Sequence, residues 1–235
     1  HGGGFFIGNG GPQGRVEAIP MAGYGKYRVI AVDYRQGPEH QYPAATDDVV
    51  AVYSELLKTY KPQNIGIYGS SAGGILTAQS VARFQKENLP APGAIAIMAA
   101  GATIPGRTDS SMWALGFTGV AIKPTPPPKE MFAGYFKQED FADPLAAPAN
   151  APAILEKFPP SLVLSSSRDT LLGSALDTHA RMIDAGVDAE LYVRDGLGHG
   201  YFTQVPDIPE TTAVWRVTVQ FFNRRLGQDA QKQNQ

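Results

Sequence analysis

The chain has no cysteine among its 235 residues, which excludes disulfides and cysteine-ligated metal sites but leaves the compartment open. It carries little net charge. Twenty Lys and Arg against 22 Asp and Glu give −2, and no basic cluster occurs, so neither nucleic acid nor an anionic membrane is implied as a partner. It has no long hydrophobic run either: the longest, around "AIAIMAA", falls far short of the ~18 residues that a membrane span requires. Histidine is scarce, with four in all, so any general base comes from a short list. Neither G-x-G-x-x-G nor G-K-[ST] stands at the glycine-rich turn around residue 71, which removes the dinucleotide and P-loop readings. Internal repeats are absent.

What is present is a chain 43% hydrophobic, enough for one sizeable core. Short β-branched runs alternate with helical patterns. "KYRVIAVDY" predicts a buried strand, residues 44–60 a helix, "NIGIYG" a strand, 72–87 a helix and "GAIAIMAA" a strand. Further on, "SLVLSSS" predicts a strand, 173–186 a helix, "AELYVRD" a strand and 207–226 a helix. Such alternation implies βαβ units in a mostly parallel sheet with helices on both faces, and ligands then collect at the carboxyl ends of the strands. Residues 101–160 break the pattern. They hold Trp113, Phe117, prolines from Pro126 to Pro128, then Met131, Phe132, Tyr135 and Phe136, too many aromatics to stay solvated, and predict a lid. The polar tail "GQDAQKQNQ" predicts disorder.

The chemistry concentrates in "NIGIYGSSAGG", where Gly69-Ser70-Ser71-Ala72-Gly73 reads as G-x-S-x-G between a strand and a helix. A serine on that sharp turn stands above the sheet, and side chains at the flanking glycines would strike neighbouring backbone. The same turn aims the first N–H groups of the helix, including that of Ala72, at whatever the serine attacks. The opening "HGGG" supplies a second set of donors, because amides of consecutive glycines approach a developing oxyanion closely. Gly3 and Gly4, with Ala72, are therefore the candidate oxyanion donors. A serine hydroxyl needs a base, and the base needs an acid to orient it. His199, in the loop "DGLGHGY" after a strand, is the candidate base; His1 belongs to the glycine loop, His40 to a turn and His179 to a helix. Asp169, at the end of "SLVLSSS", is the favoured acid, with Asp195 and Asp177 as competitors. The order serine, aspartate, histidine is that of an α/β-hydrolase.

Together these motifs resemble the hormone-sensitive-lipase-like family of α/β-hydrolases, in its bacterial family IV esterase branch. "HGGG" resembles the oxyanion loop of that family. "YRQGPEHQYPAATDD" is similar to its Y-R-L-A-P-E-H-x-F-P-A-A-x-x-D segment, "GSSAGG" to G-D-S-A-G-G, "SRDTLLGSA" to D-P-L-R-D and "GHGY" to H-G-F. The sequence departs from the pattern at Gln36-Gly37 for Leu-Ala, at Ser70 for aspartate and at Thr170 for proline. The resemblance implies one α/β-hydrolase domain over residues 1–235, with residues 101–150 as part of a helical cap. It implies a serine carboxylesterase for small, short-chain esters working without metal or cofactor, with Tyr34, Arg35 and Glu39 bracing the oxyanion loop. It allows a homodimer through the sheet edge. Members of the family carry strands and the rest of the cap ahead of "HGGG", so the expectation is a chain incomplete before His1 that folds poorly alone. A cytoplasmic location is favoured. Two other readings share the scaffold: a serine peptidase or acyl-peptide hydrolase, and a non-catalytic small-molecule-binding protein.

Overall fold

A computed structural model describes residues 1–8, 11–104, 108–111 and 134–227. Trp113, Phe117, Pro126 to Pro128, Met131, Phe132 and the polar tail beyond Gly227 lie outside the described residues, and with them half of the expected cap.

Four parallel strands form the sheet, in the order β1 (Gly66–Ser70), β2 (Ala94–Met98), β3 (Ser161–Arg168) and β4 (Ala189–Gly198). The α-helices that concern the site and the core are α1 (Pro12–Gly25), α2 (Ala44–Leu56), α3 (Ala72–Lys86), the single turn α4 (Pro152–Leu155), α5 (Leu172–Asp184), the single turn α6 (Tyr201–Gln204) and α7 (Pro209–Arg225). Every residue of β2 is buried, as a parallel strand covered on both faces should be. Its alternation divides the core. Ile95 and Ile97 meet Ile75 and Leu76 of α3 and Ala175 and Met182 of α5. Ala94, Ala96 and Met98 meet Met21 of α1 and Val214, Trp215 and Phe222 of α7. A strand's two-residue period thus builds two cores from five residues, with helices on both sides.

Helix α3 lies between β1 and β2 on one side and α2 on the other, so nearly all of it is buried. Its buried hydroxyls are satisfied within the helix, Thr77 Oγ1 donating to the Gly73 carbonyl at 2.8 Å and Ser80 Oγ to the Leu76 carbonyl at 2.6 Å. Register aligns the strand ends: Ser70 lies opposite Met98, Met98 opposite Leu164 and Leu164 opposite Tyr192. The segments that leave the carboxyl ends of β1, β3 and β4 therefore emerge on one edge.

Two elements differ from the sequence expectation. "KYRVIAVDY" is not a ladder strand, and of its residues Tyr34 alone is buried while Ile30 is exposed. Its β-branched run favours a strand, but a ladder needs a neighbour within about 4.8 Å. Residues 27–34 face the outer edge of β1 across a slot of about 330 Å³ instead, with α1 and α2 closing its sides. Conversely, α1 was not expected. Among the described residues no helix is long and apolar enough to cross a membrane.

Candidate active site

The turn from β1 into α3 carries Ser71 in a backbone conformation that side-chain-bearing residues avoid, with φ 53° and ψ −119°. Three bonds hold it there. Ser71 N–H donates to the Met98 carbonyl at 2.8 Å, and the Ser71 carbonyl accepts from Gly74 and Ile75 at 2.9 and 3.1 Å. The glycines on either side are a matter of space. A Cβ at Gly69 would stand 2.6 Å from the carbonyl carbon and oxygen of Gly73. One at Gly73 would stand 2.8 Å from the backbone of His1.

That second contact shows where the opening loop goes: it packs directly on the serine turn. Its clamps are aromatic and polar. The His1 ring stacks on Tyr34 at 4.6 Å, and the Tyr34 hydroxyl donates to the His1 carbonyl at 2.6 Å. Phe5 is fully buried and stacks on Tyr135 at 4.5 Å. Gly3 and Gly4 have positive φ, 129° and 63°, and the Gly3 carbonyl accepts from Phe6 and Ile7. The N–H groups of Gly3 and Gly4 find no acceptor among the described residues, and Ala72, as the first residue of α3, has none within its helix. The Gly2 N–H is already engaged, by Glu17 Oε1 at 2.8 Å.

His199 follows β4. Its Nε2 is 2.9 Å from Ser71 Oγ, and its Nδ1 is 2.6 Å from Asp169 Oδ1. An ionised carboxylate only accepts, so Nδ1 carries the proton and Nε2 offers its lone pair to the serine hydroxyl. Asp169 is fully buried at the end of β3. Its Oδ1 also accepts from the Leu171 N–H at 2.8 Å, and its Oδ2 from Ser165 Oγ at 2.8 Å. The imidazole remains partly exposed, at 29%. The carboxylate is thus fixed by dry contacts while the ring can still reach a substrate.

The competing acids lie elsewhere. Asp195 accepts from Ser167 Oγ at 2.6 Å, and Asp177 pairs with Arg181 at 2.7 Å. His40 is exposed, and His179 Nε2 lies 3.4 Å from the Ala189 carbonyl. Of the three expected braces, Tyr34 touches the loop. Arg35 instead pairs with Asp48 at 2.9 Å, tying residue 35 to α2. Glu39 is exposed and has no hydrogen-bond or ion-pair partner among the described residues. Two residues at the site were missed from sequence. Ser165 lies in a run of three serines, of which Ser166 is equally buried, and only the fold sets Ser165 against Asp169. Glu17 sits on α1, a helix that no apolar pattern announces. No group of three or more His, Asp or Glu among the described residues is arranged to hold a metal ion.

A family model described as alpha/beta hydrolase fold matches residues 1–203. The chain is similar to the carboxylesterase/phospholipase LipF of Mycobacterium tuberculosis (strain ATCC 25618 / H37Rv), with 29% identity over 232 residues, 94% of this chain and 60% of that protein. It is also similar to an acetyl-hydrolase of Streptomyces hygroscopicus, with 25% identity over 97% of this chain and 75% of that one. Among solved structures, an esterase from the bacterial hormone-sensitive lipase (HSL) family superposes with a TM-score of 0.82 at 28% identity, covering 97% of this chain and 75% of that one. The chain therefore spans less than two thirds of the LipF relative.

Proposed function

Since the chain belongs to the α/β-hydrolase fold family, in its hormone-sensitive-lipase-like branch, we propose that the protein is a serine carboxylesterase that cleaves small, short-chain esters through an acyl-enzyme on Ser71. The observation that carries the reading is the hydrogen-bonded row Ser71–His199–Asp169, set beside glycine amides with no protein acceptor among the described residues. Ser71 Oγ attacks the ester carbonyl while His199 Nε2 takes its proton. The carbonyl oxygen becomes an oxyanion, stabilised by N–H groups of Gly3, Gly4 and Ala72. His199 then protonates the departing alcohol, leaving Ser71 acylated. Water attacks next, His199 again accepts and returns the proton, and the carboxylic acid leaves. Asp169 keeps the proton on Nδ1 and stabilises the imidazolium. The similarity to the Streptomyces hygroscopicus acetyl-hydrolase supports the short acyl group.

The test is a comparison on the whole protein. Aryl acetate and butyrate should be hydrolysed, an aminoacyl amide should be cleaved far more slowly, and a fluorophosphonate should label Ser71 stoichiometrically. Labelling lost in Ser71→Ala completes the expectation. Preferred cleavage of the amide would favour the peptidase reading, and no labelling at all the non-catalytic binding protein.

A further inference from the structure

Glu17 projects from the inward face of α1, which it shares with Gly14 and Met21, and is 4% exposed. Its carboxylate faces neutral donors drawn from two places. Oε1 accepts from the Gly2 N–H at 2.8 Å and from Ser70 Oγ at 2.7 Å, and Oε2 accepts from the Ser70 N–H at 3.2 Å. Gly2 precedes the oxyanion loop glycines, and Ser70 precedes the serine of the turn. A buried carboxylate satisfied by N–H and O–H donors alone is a costly fixture for ordinary packing. What it gains here is a rigid bridge between two segments 68 positions apart, since 70 − 2 = 68.

We propose that Glu17 is the positioning residue that sets the width of the oxyanion hole; the inference rests on the esterase reading above. Donors on one side, the N–H groups of Gly3 and Gly4, ride on the segment that Glu17 grips at Gly2. The donor on the other side, the Ala72 N–H, rides two residues beyond Ser70. Oxyanion donors act only within about 2.7–3.1 Å of the developing charge, so whatever fixes the two segments relative to each other acts on the transition state more than on bound ester. The sequence bears a matching mark. Where "GSSAGG" resembles G-D-S-A-G-G, Ser70 replaces an aspartate. The carboxylate expected at position 70 is delivered from α1 instead, and the serine hydroxyl has become one of its donors. Position 70 lies close enough for the exchange: a Cβ at Gly2 would be 3.1 Å from Ser70 Oγ.

Glu17→Gln keeps the shape but places an amide donor against the Ser70 N–H. With rates normalised to fluorophosphonate-labelled sites, kcat should fall about ten- to a hundredfold with KM within about threefold, the loss of part of one donor's effect. Affinity for an aryl trifluoromethyl ketone, whose adduct with Ser71 carries an oxyanion, should fall in step with kcat/KM. Glu17→Gln combined with Ser70→Asp returns a carboxylate to Gly2 and should recover at least about tenfold of the lost kcat. If the single variant labels too poorly to measure, the double variant decides alone, and kcat within about tenfold of wild type is then expected. A single variant with kcat per labelled site within about threefold of wild type, or a labelled double variant with no recovery, overturns the proposal. A wild-type protein that neither labels nor hydrolyses aryl acetate refutes the esterase reading, a separate outcome.

Discussion

Gly73→Ala inserts one methyl group between the serine turn and the opening loop. Its Cβ would lie 2.8 Å from the N, C and O atoms of His1, where ordinary contact begins at 3.4 Å, so the two segments must part by about 0.6 Å. No flexible side chain is there to yield. The carbonyl carbon and oxygen of Gly73 already bear on Gly69, and His1 is held by Tyr34. A donor about 2.9 Å from the oxyanion would retreat to about 3.5 Å, beyond useful hydrogen-bond length. Losing one such donor costs about 2.7–4 kcal/mol, or 10²–10³ in kcat. KM should change little, because the neutral carbonyl of the ground state depends less on those donors. Replacing a helical glycine by alanine also favours the helix by up to about 1 kcal/mol, so the melting temperature need not drop with the activity. The assay is kcat and KM on aryl acetate per labelled site. Gly23→Ala serves as the control, since its Cβ would meet nothing within 4 Å. A Gly73→Ala enzyme within about threefold of wild-type kcat would refute the claim that loop and turn share one spacing.

Three further outcomes are expected. Ser71→Ala and His199→Ala should each reduce kcat by about 10⁶ and Asp169→Asn by about 10⁴, with Ser71→Ala/His199→Ala no worse than Ser71→Ala, because the three act as a unit; additive losses in the double variant would contradict this. Ser165→Ala removes the donor to Asp169 Oδ2, and denaturant titration should show about 1.5–3 kcal/mol lost, whereas a neutral effect would mean the carboxylate finds another partner. Alkaline stability should collapse. Tyr34, Tyr53, Tyr135 and Tyr201 are each at most 4% exposed, and burial raises all four phenols, Tyr53 and Tyr201 to about 12 and the other two further. Below pH ~10 both folded and unfolded states keep these protons and stability is full. Above it the unfolded chain releases protons that the fold retains, so each tyrosine withdraws about 1.4 kcal/mol per pH unit, roughly 5–6 kcal/mol for four, against a typical total of 5–15. The phenolate absorbance of these four should therefore appear only together with loss of circular dichroism at pH 11–12, and a chain in which all ten tyrosines ionised while the circular dichroism stayed native would be the contrary result.

All four ladder strands were legible in the sequence, "AIAIM" most plainly, where continuous apolar character matches burial on both faces. "KYRVIAVDY" has an apolar run too, Val29 to Val32, but such a run reports the preference for a strand and not the presence of a neighbour. Helix α1 was illegible for the opposite reason. It turns Gly14 and Glu17 inward and leaves Val16, Ile19 and Tyr24 exposed, and it carries Pro20 in its interior, so no apolar stripe marks it. At the candidate site, Ser71 and His199 were readable because turn chemistry at strand ends is local. Asp169 was favoured over Asp195 in the sequence although both stand at strand ends, and in the fold Asp169 lies against the imidazole while Asp195 bonds Ser167. Glu17 acts 53 residues away from Ser70, and no local pattern encodes such a contact.

The three residues of the candidate row each stand first after a strand: Ser71 after β1, Asp169 after β3 and His199 after β4. Hydrogen-bonded register therefore acts as their ruler. The smallest slip that keeps the same side chains facing each core is two residues, about 6.6 Å along a strand. That is more than twice the 2.9 Å between His199 Nε2 and Ser71 Oγ. A chain that paired its strands out of step would thus be inert however well its cores were packed, and turnover doubles as a check on the fold.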